Sequence, residues 1–212
     1  MRSPLAHARA EVTALGRLFP DSRILIGDEA DEDTVKALLP KARILHFATH
    51  AFSHEGDPLF LSGLQVAAGD GKSSDSDGIL SGYEILEQDL SNVELVFLSA
   101  CETARSHRLW NGGYYGLESA FRAAGAQAVV GSLWEVDDAA CQELVGYFYD
   151  AYLGGHSIPE SLAMAQREVR KTRPHPVDWA GWVVVGGGPK RSDEADPQRP
   201  AFSIEALAGS DN

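Results

Sequence analysis

Three residues of types that do chemistry stand just after short apolar runs: His50 follows residues 44–49, Cys101 follows residues 95–98, and Asp138 lies beyond residues 129–133. A thiol attacks carbonyl carbon well only when it is ionised or paired with a base. A nearby imidazole can take its proton and later deliver that proton to a departing amine. A cysteine and a histidine combined in this way cleave acyl bonds. The pair needs closeness in space and not in sequence, so the burden falls on the elements that carry the two residues.

Those elements alternate. Leu5, Ala8, Val12, Leu15 and Leu18 recur at helical spacing until Pro20, ahead of a short strand pattern at residues 23–26. Asp31 is placed to cap a second helix that ends at Leu39 before Pro40, and residues 44–49 follow as a strand. Residues 59–66 read as a strand and 67–78, rich in Gly, Ser and Asp, as a loop. Ser81 can cap a helix through Glu87 before the strand at 95–98 and a loop at 100–112. Further helices are expected at 114–124, 137–152 and 159–171, with strands at 129–133 and 182–185. Helices and strands in alternation predict an α/β fold with parallel pairing and helices on both faces. In such sheets ligands bind beyond the carboxyl ends of the strands. His50, Cys101 and Asp138 all fall there.

Each residue also has a plainer account. Free cysteine packs as a small hydrophobe, His50 alone suits a loop with a structural hydrogen bond, and Asp138 suits the first turn of a helix, where a carboxylate offsets the positive helix end. The 51-residue separation of His50 and Cys101 favours a working pair, because in caspases the histidine lies about 50 residues before the cysteine. Glu102 beside Cys101 opposes thiolate formation unless it points away, so it is given a supporting role only. Cys141 falls inside a helical pattern and is assigned to core packing. His46, His50 and His54 recur every four residues, yet the first lies in a strand pattern and the HExxH glutamate is missing, so no metal is expected. Gly71, Lys72 and Ser73 imitate the end of a phosphate loop whose first glycine falls on Val66. His107, His156 and His175 are expected to be solvent-exposed, and there is no GxSxG elbow. No cofactor is called for.

Four segments carry a family resemblance: LHFATHAF, LVFLSACETA, ESAFRAAGAQAVVGSLWEVDDAA and HPVDWAGWVVVGG. In this order they resemble the CHAT-domain peptidases, relatives of caspases and separase, across most of residues 5–188. The resemblance implies a caspase-like αβα sandwich with a mainly parallel central sheet, here without the strands that usually precede this region. It implies His50 and Cys101 as the catalytic pair, with the backbone N–H groups of Ala51 and Cys101 as the oxyanion hole. Ala51 stands where the family usually has glycine, which keeps the N–H but disfavours positive φ. The LWxVxD segment is similar to that of separase, which implies Asp138 in a pocket for a basic side chain, with Trp134 as its apolar wall. A CHAT domain commonly follows helical repeats, so regulation by such a module or by a partner protein is expected.

Composition limits the partners. With 44% hydrophobic and 23% charged residues the chain suits one globular domain, assigned to residues 1–188, with 189–212 as a flexible tail. A net charge of −13 works against nucleic acid and anionic lipid surfaces and suits basic or neutral partners, while the resemblance implies a protein or peptide substrate. Two cysteines and no run of about 20 apolar residues point to a cytoplasmic protein outside the membrane. The competing function is a catalytically silent interaction module that keeps the fold. The presence of both His50 and Cys101 favours the enzyme, a cysteine endopeptidase.

Overall fold

The apolar runs fold as the strands of one sheet. The computed structural model describes residues 8–52, 62–69, 76–99, 107–108, 114–187 and 202–204, with 107–108, 114–115 and 202–204 described by their backbone. In chain order the helices are α1 (Ala8–Leu18), α2 (Glu32–Leu38), α3 (Gly82–Leu86), α4 (Leu117–Ala123), α5 (Asp138–Leu153) and α6 (Ile158–Thr172). The strands are β1 (Arg23–Leu25), β2 (Ile44–Ala48), β3 (Ala51–Phe52), β4 (Gly63–Gln65), β5 (Ile79–Ser81), β6 (Leu95–Ser99), β7 (His107–Arg108), β8 (Tyr114–Tyr115), β9 (Ala128–Ser132), β10 (Trp182–Gly186) and β11 (Phe202–Ile204).

The main sheet has six strands in the order β1-β11-β2-β6-β9-β10. All its pairings are parallel except β9 with β10. Two further short antiparallel sheets are β3-β4-β5 and β7-β8. Alternation along the central strands divides the core in two. Leu45, Phe47, Val96, Leu98 and Val129 pack with Val35, Ile85 and Phe121 from α2, α3 and α4. Ile44, Leu95, Phe97 and Val130 pack with Leu15 of α1, Leu144, Phe148 and Tyr149 of α5, and Leu162 of α6. Strands buried on both faces read as continuous apolar runs, and two helical layers must cover them, which is the αβα sandwich.

Local chemistry sets the helix ends. The Asp31 carboxylate accepts from the Thr34 N–H at 2.9 Å, and Ser81 and Ser157 each form a capping box, with Glu84 and Glu160. The helix expected at 137–152 begins one residue later, because Asp137 is its cap and accepts from the Ala140 N–H at 3.2 Å. Within residues 189–212, the stretch expected to be a flexible tail, Phe202–Ile204 pair in parallel with β1 on one side and β2 on the other. Three residues are too few to show a strand period in the sequence.

Candidate functional site

β2, β6 and β9 lie side by side and run the same way, so their carboxyl ends form one edge. Ala48 at the end of β2 is level with Ser99 at the end of β6, and Phe97 is level with Val130 of β9. His50 comes two residues after Ala48, and Cys101 comes two residues after Ser99. Cys101 and Glu102 themselves lie outside the described residues, as do His54 and residues 71–73.

His50 is nearly buried, at 9% exposure, and the chain around it is held by the small sheet. Its carbonyl accepts from the Gln65 N–H at 2.8 Å, while the Thr49 hydroxyl donates to the Gln65 carbonyl at 2.6 Å. Ala51 sits opposite Leu64 in the β3–β4 ladder. A strand that ends and immediately re-enters a second sheet fixes the backbone on either side of the histidine. Gln65 was not singled out in the sequence, because a residue acting through its backbone leaves no signature there.

β9 delivers the other expected residues to the same edge. Trp134 is half-buried, and its indole N–H donates to the Val177 carbonyl at 2.9 Å. Its ring lies against Gly181, where a Cβ would come within 2.6 Å of Cε2. Asp137 and Asp138 follow at the start of α5. Asp137 is occupied as the helix cap and also meets the Arg173 guanidinium at 3.2 Å. Asp138 is half-buried in the first turn. The structure thus brings His50, Ala51, Trp134 and Asp138 to the edge at which β6 delivers the chain leading to Cys101.

The CHAT domain profile matches residues 1–187. The chain belongs to the CHAT-domain family. It is 29% identical to human tetratricopeptide repeat protein 28 over 217 aligned positions and 30% identical to the mouse protein over 220, covering 88% of this chain in each case. It spans 9% of the length of either relative. In fold it is similar to Saccharomyces cerevisiae separase in two crystal structures of the separase–securin complex, at a TM-score of 0.59 and 14% identity. That match covers 86% of this chain and 11% of separase.

The late HPVDWAGW segment has a local physical explanation in this CHAT domain. Pro176–Asp178 form one 3-10 turn capped by the His175 side chain, and this turn presents the Val177 carbonyl that Trp134 uses. Gln166 of α6 donates to the carbonyls of both Trp179 and Trp182, at 3.0 Å each, which fixes the segment on α6. Gly181 leaves the space that the Trp134 ring fills. His156 and His175 are exposed, and Cys141 is half-buried against the α5–α6 side of the core. His107 lies where only the backbone is described. Among the described residues no group of three or more His, Cys, Asp or Glu side chains is arranged to hold a metal ion.

Two polar clusters, one buried and one partly buried, had no place in the sequence reading. His46 Nε2 lies 2.7 Å from Glu11 Oε1, and its Nδ1 lies 3.2 Å from the Tyr149 hydroxyl. All three are buried, and the ring stacks on Phe97 with centroids 5.2 Å apart. Burial, followed by the nearby Tyr152 and Glu11, holds the Tyr149 hydroxyl well above the usual tyrosine range. A signal was available: Glu11 falls on the helix face marked by Ala8, Val12 and Leu15, and His46 interrupts an apolar strand. Elsewhere Lys36 joins Glu32 at 2.7 Å and Glu84 at 2.9 Å. Burial raises the Glu32 carboxyl. Burial acts the same way on Glu84, but its bonds to Lys36 and Ser81 outweigh that and lower it.

Proposed function

We propose that this CHAT domain is a cysteine endopeptidase in which Cys101 is the nucleophile and His50 its acid/base partner. The observation that carries the reading is the pairing of Ala48 with Ser99, since the two residues named each follow that couple by two positions at one sheet edge. In the reaction His50 takes the thiol proton, sulfur bonds to the scissile carbonyl carbon, and the amine leaves with the proton that His50 returns. Water then splits the thioester with His50 as base. The backbone N–H groups of Ala51 and Cys101 serve as donors to the oxyanion, each worth ~10²–10³ in rate. Asp138, in the first turn of α5 beside the helix-capping Asp137, receives Arg or Lys before the scissile bond, against the wall made by Trp134.

The substrate is a protein or peptide, and the acidic chain favours approach of basic segments. A reducing cytoplasm keeps the thiol free. The relatives are tetratricopeptide repeat proteins and the separase structures are complexes with securin. Both support control by an attached helical-repeat module or a partner protein.

The test uses a peptide library and a thiol-directed peptide electrophile on intact protein and on Cys101→Ala. Turnover that is lost in Cys101→Ala, with labelling of Cys101 in preference to Cys141, is the expected result. Turnover that survives Cys101→Ala removes the assignment. No turnover and equal labelling of both cysteines would leave the silent interaction module as the better reading.

A further inference from the structure

The sheet order holds an unusual neighbour relation. β1 and β2 come early in the chain, yet they do not pair with each other, and β11 from near the carboxyl terminus lies between them. The register is continuous across all three: Arg23, Phe202 and Leu45 are level, then Ile24, Ser203 and His46, then Leu25, Ile204 and Phe47. Among the described residues β1 has no other strand partner in the sheet. Without a strand in this position, β1 and one side of β2 would lose their ladders, and unpaired backbone groups at a covered face are costly. α1 contacts β1, β11 and β2 alike and so covers the gap from one face.

The connection suits an occupant from the same chain. β10 is antiparallel, so Gly186, level with the first residue of β9, leaves the sheet at its amino edge. β11 is parallel to β2 and enters at that same edge. β10 and β11 are four strand spacings apart, about 19 Å, whereas the 15 residues numbered 187–201 can extend to about 50 Å. The connection therefore has no need to pass the carboxyl edge, where His50 lies. Pro197 and Pro200 precede the strand, and proline is tolerated ahead of a strand but not inside an internal one.

We propose that the gap between β1 and β2 is a one-strand acceptor that this chain fills in cis with residues 202–204, and that the filling holds β1 in the sheet and buttresses the strand that leads to His50. This is strand addition within one molecule: backbone bonds supply the attachment, and Phe202 and Ile204 take register positions level with the buried Leu45 and Phe47. The strand acts as a positioning element. The part concerning His50 rests on the peptidase reading, and the part concerning the acceptor does not.

Hydrogen exchange followed by mass spectrometry on the full chain tests the acceptor directly. Amides of residues 202–204 and of β1 should exchange on the order of a hundredfold more slowly than unstructured peptide, because both sit inside a ladder. Ser203→Pro removes the central donor of β11 and should release both segments while β6 and β9 stay protected. A synthetic peptide of residues 198–208 added to Ser203→Pro should restore protection to β1. Electrophile labelling of Cys101 should fall in Ser203→Pro and recover with the peptide. Fast exchange of 202–204 in the unmodified chain overturns the proposal, as does β1 protection that Ser203→Pro leaves unchanged. Protection that grows with protein concentration alongside a dimer would assign the strand to a second copy and overturn the cis arrangement. Should Ser203→Pro unfold altogether, exchange on the unmodified chain still decides. Absent labelling of Cys101 with intact exchange results would count against the peptidase reading alone.

Discussion

His46 and His50 lie four residues apart on one stretch of chain, and both are nearly out of contact with water, at 1% and 9% exposure. His46 sits inside β2 with each ring nitrogen facing a buried oxygen and its ring stacked on Phe97. His50 sits where β2 has ended, with its own carbonyl pinned by Gln65, at the edge to which β6 brings the chain toward Cys101. Burial therefore does not separate a histidine closed inside the sheet from one at the edge where a ligand could be met. Position along the strand does: the interior is closed by helices on both faces, whereas the carboxyl edge opens to a ligand.

The comparison breaks if exchanging either histidine gives the same phenotype. His50→Ala should lower peptide turnover by about 10²–10⁴, the usual range for a positioned acid/base group. Its effect on chemical unfolding should be smaller than that of His46→Ala. His46→Ala should reverse the pattern, with a stability loss of about 1–3 kcal/mol because buried Glu11 is left without its hydrogen-bond partner. Turnover per folded molecule should survive in His46→Ala. Steady-state kinetics and urea unfolding on the two variants, side by side, give both numbers.

Tyr149 sharpens the same contrast at a smaller scale. Tyr149→Phe removes one hydrogen bond to His46 and should cost about 1 kcal/mol. The hydroxyl is held above the ordinary value in the folded chain, mainly by burial. Its contribution is therefore fully present below the unfolded value, near pH 10, and is lost as pH rises through the folded value. Unfolding free energies measured above about pH 10 should thus fall more steeply with pH in the unmodified chain than in Tyr149→Phe. Parallel slopes would mean that the buried hydroxyl does not govern alkaline stability.

The sandwich was legible because its parts agree: apolar runs at 44–49, 95–98 and 129–133 mark the three central strands, and helices before and between them have readable caps at Asp31 and Ser81. The edge expected to carry the candidate site followed from the same rule, since residues just beyond parallel strands gather there, while Cys101 itself lies outside the described residues. The rest was hidden for definite reasons. β11 is three residues long and pairs across a large sequence separation, so no local period announces it. The clamp on His50 works through the Gln65 backbone and the Thr49 hydroxyl, and neither residue type is distinctive. The Glu11–His46 pair needed one further step, which was to ask what a carboxylate on the apolar face of α1 could meet.

Two adjacent carboxylates repeat the contrast of the histidines at the start of α5, and they carry the smallest expected stability effects. Asp137 is committed to structure, as it accepts from the Ala140 N–H and meets Arg173. Asp137→Ala should cost about 1 kcal/mol, the usual worth of a helix cap, and leave the cleavage preference unchanged. Asp138 sits one position further on, half-buried, with the cap already supplied by its neighbour. If Asp138 serves the helix end alone, Asp138→Asn costs about 0.3–1 kcal/mol and the order of preferred substrates is unaltered. If it receives a basic side chain, the same substitution removes a charge-assisted contact worth about 1.5–3 kcal/mol, so cleavage after Arg should fall by tenfold or more relative to cleavage after uncharged residues. Library profiles of Asp137→Ala and Asp138→Asn against the unmodified chain separate the two accounts. A preference for Arg that both variants keep would return Asp138 to the helix and leave the pocket to another residue.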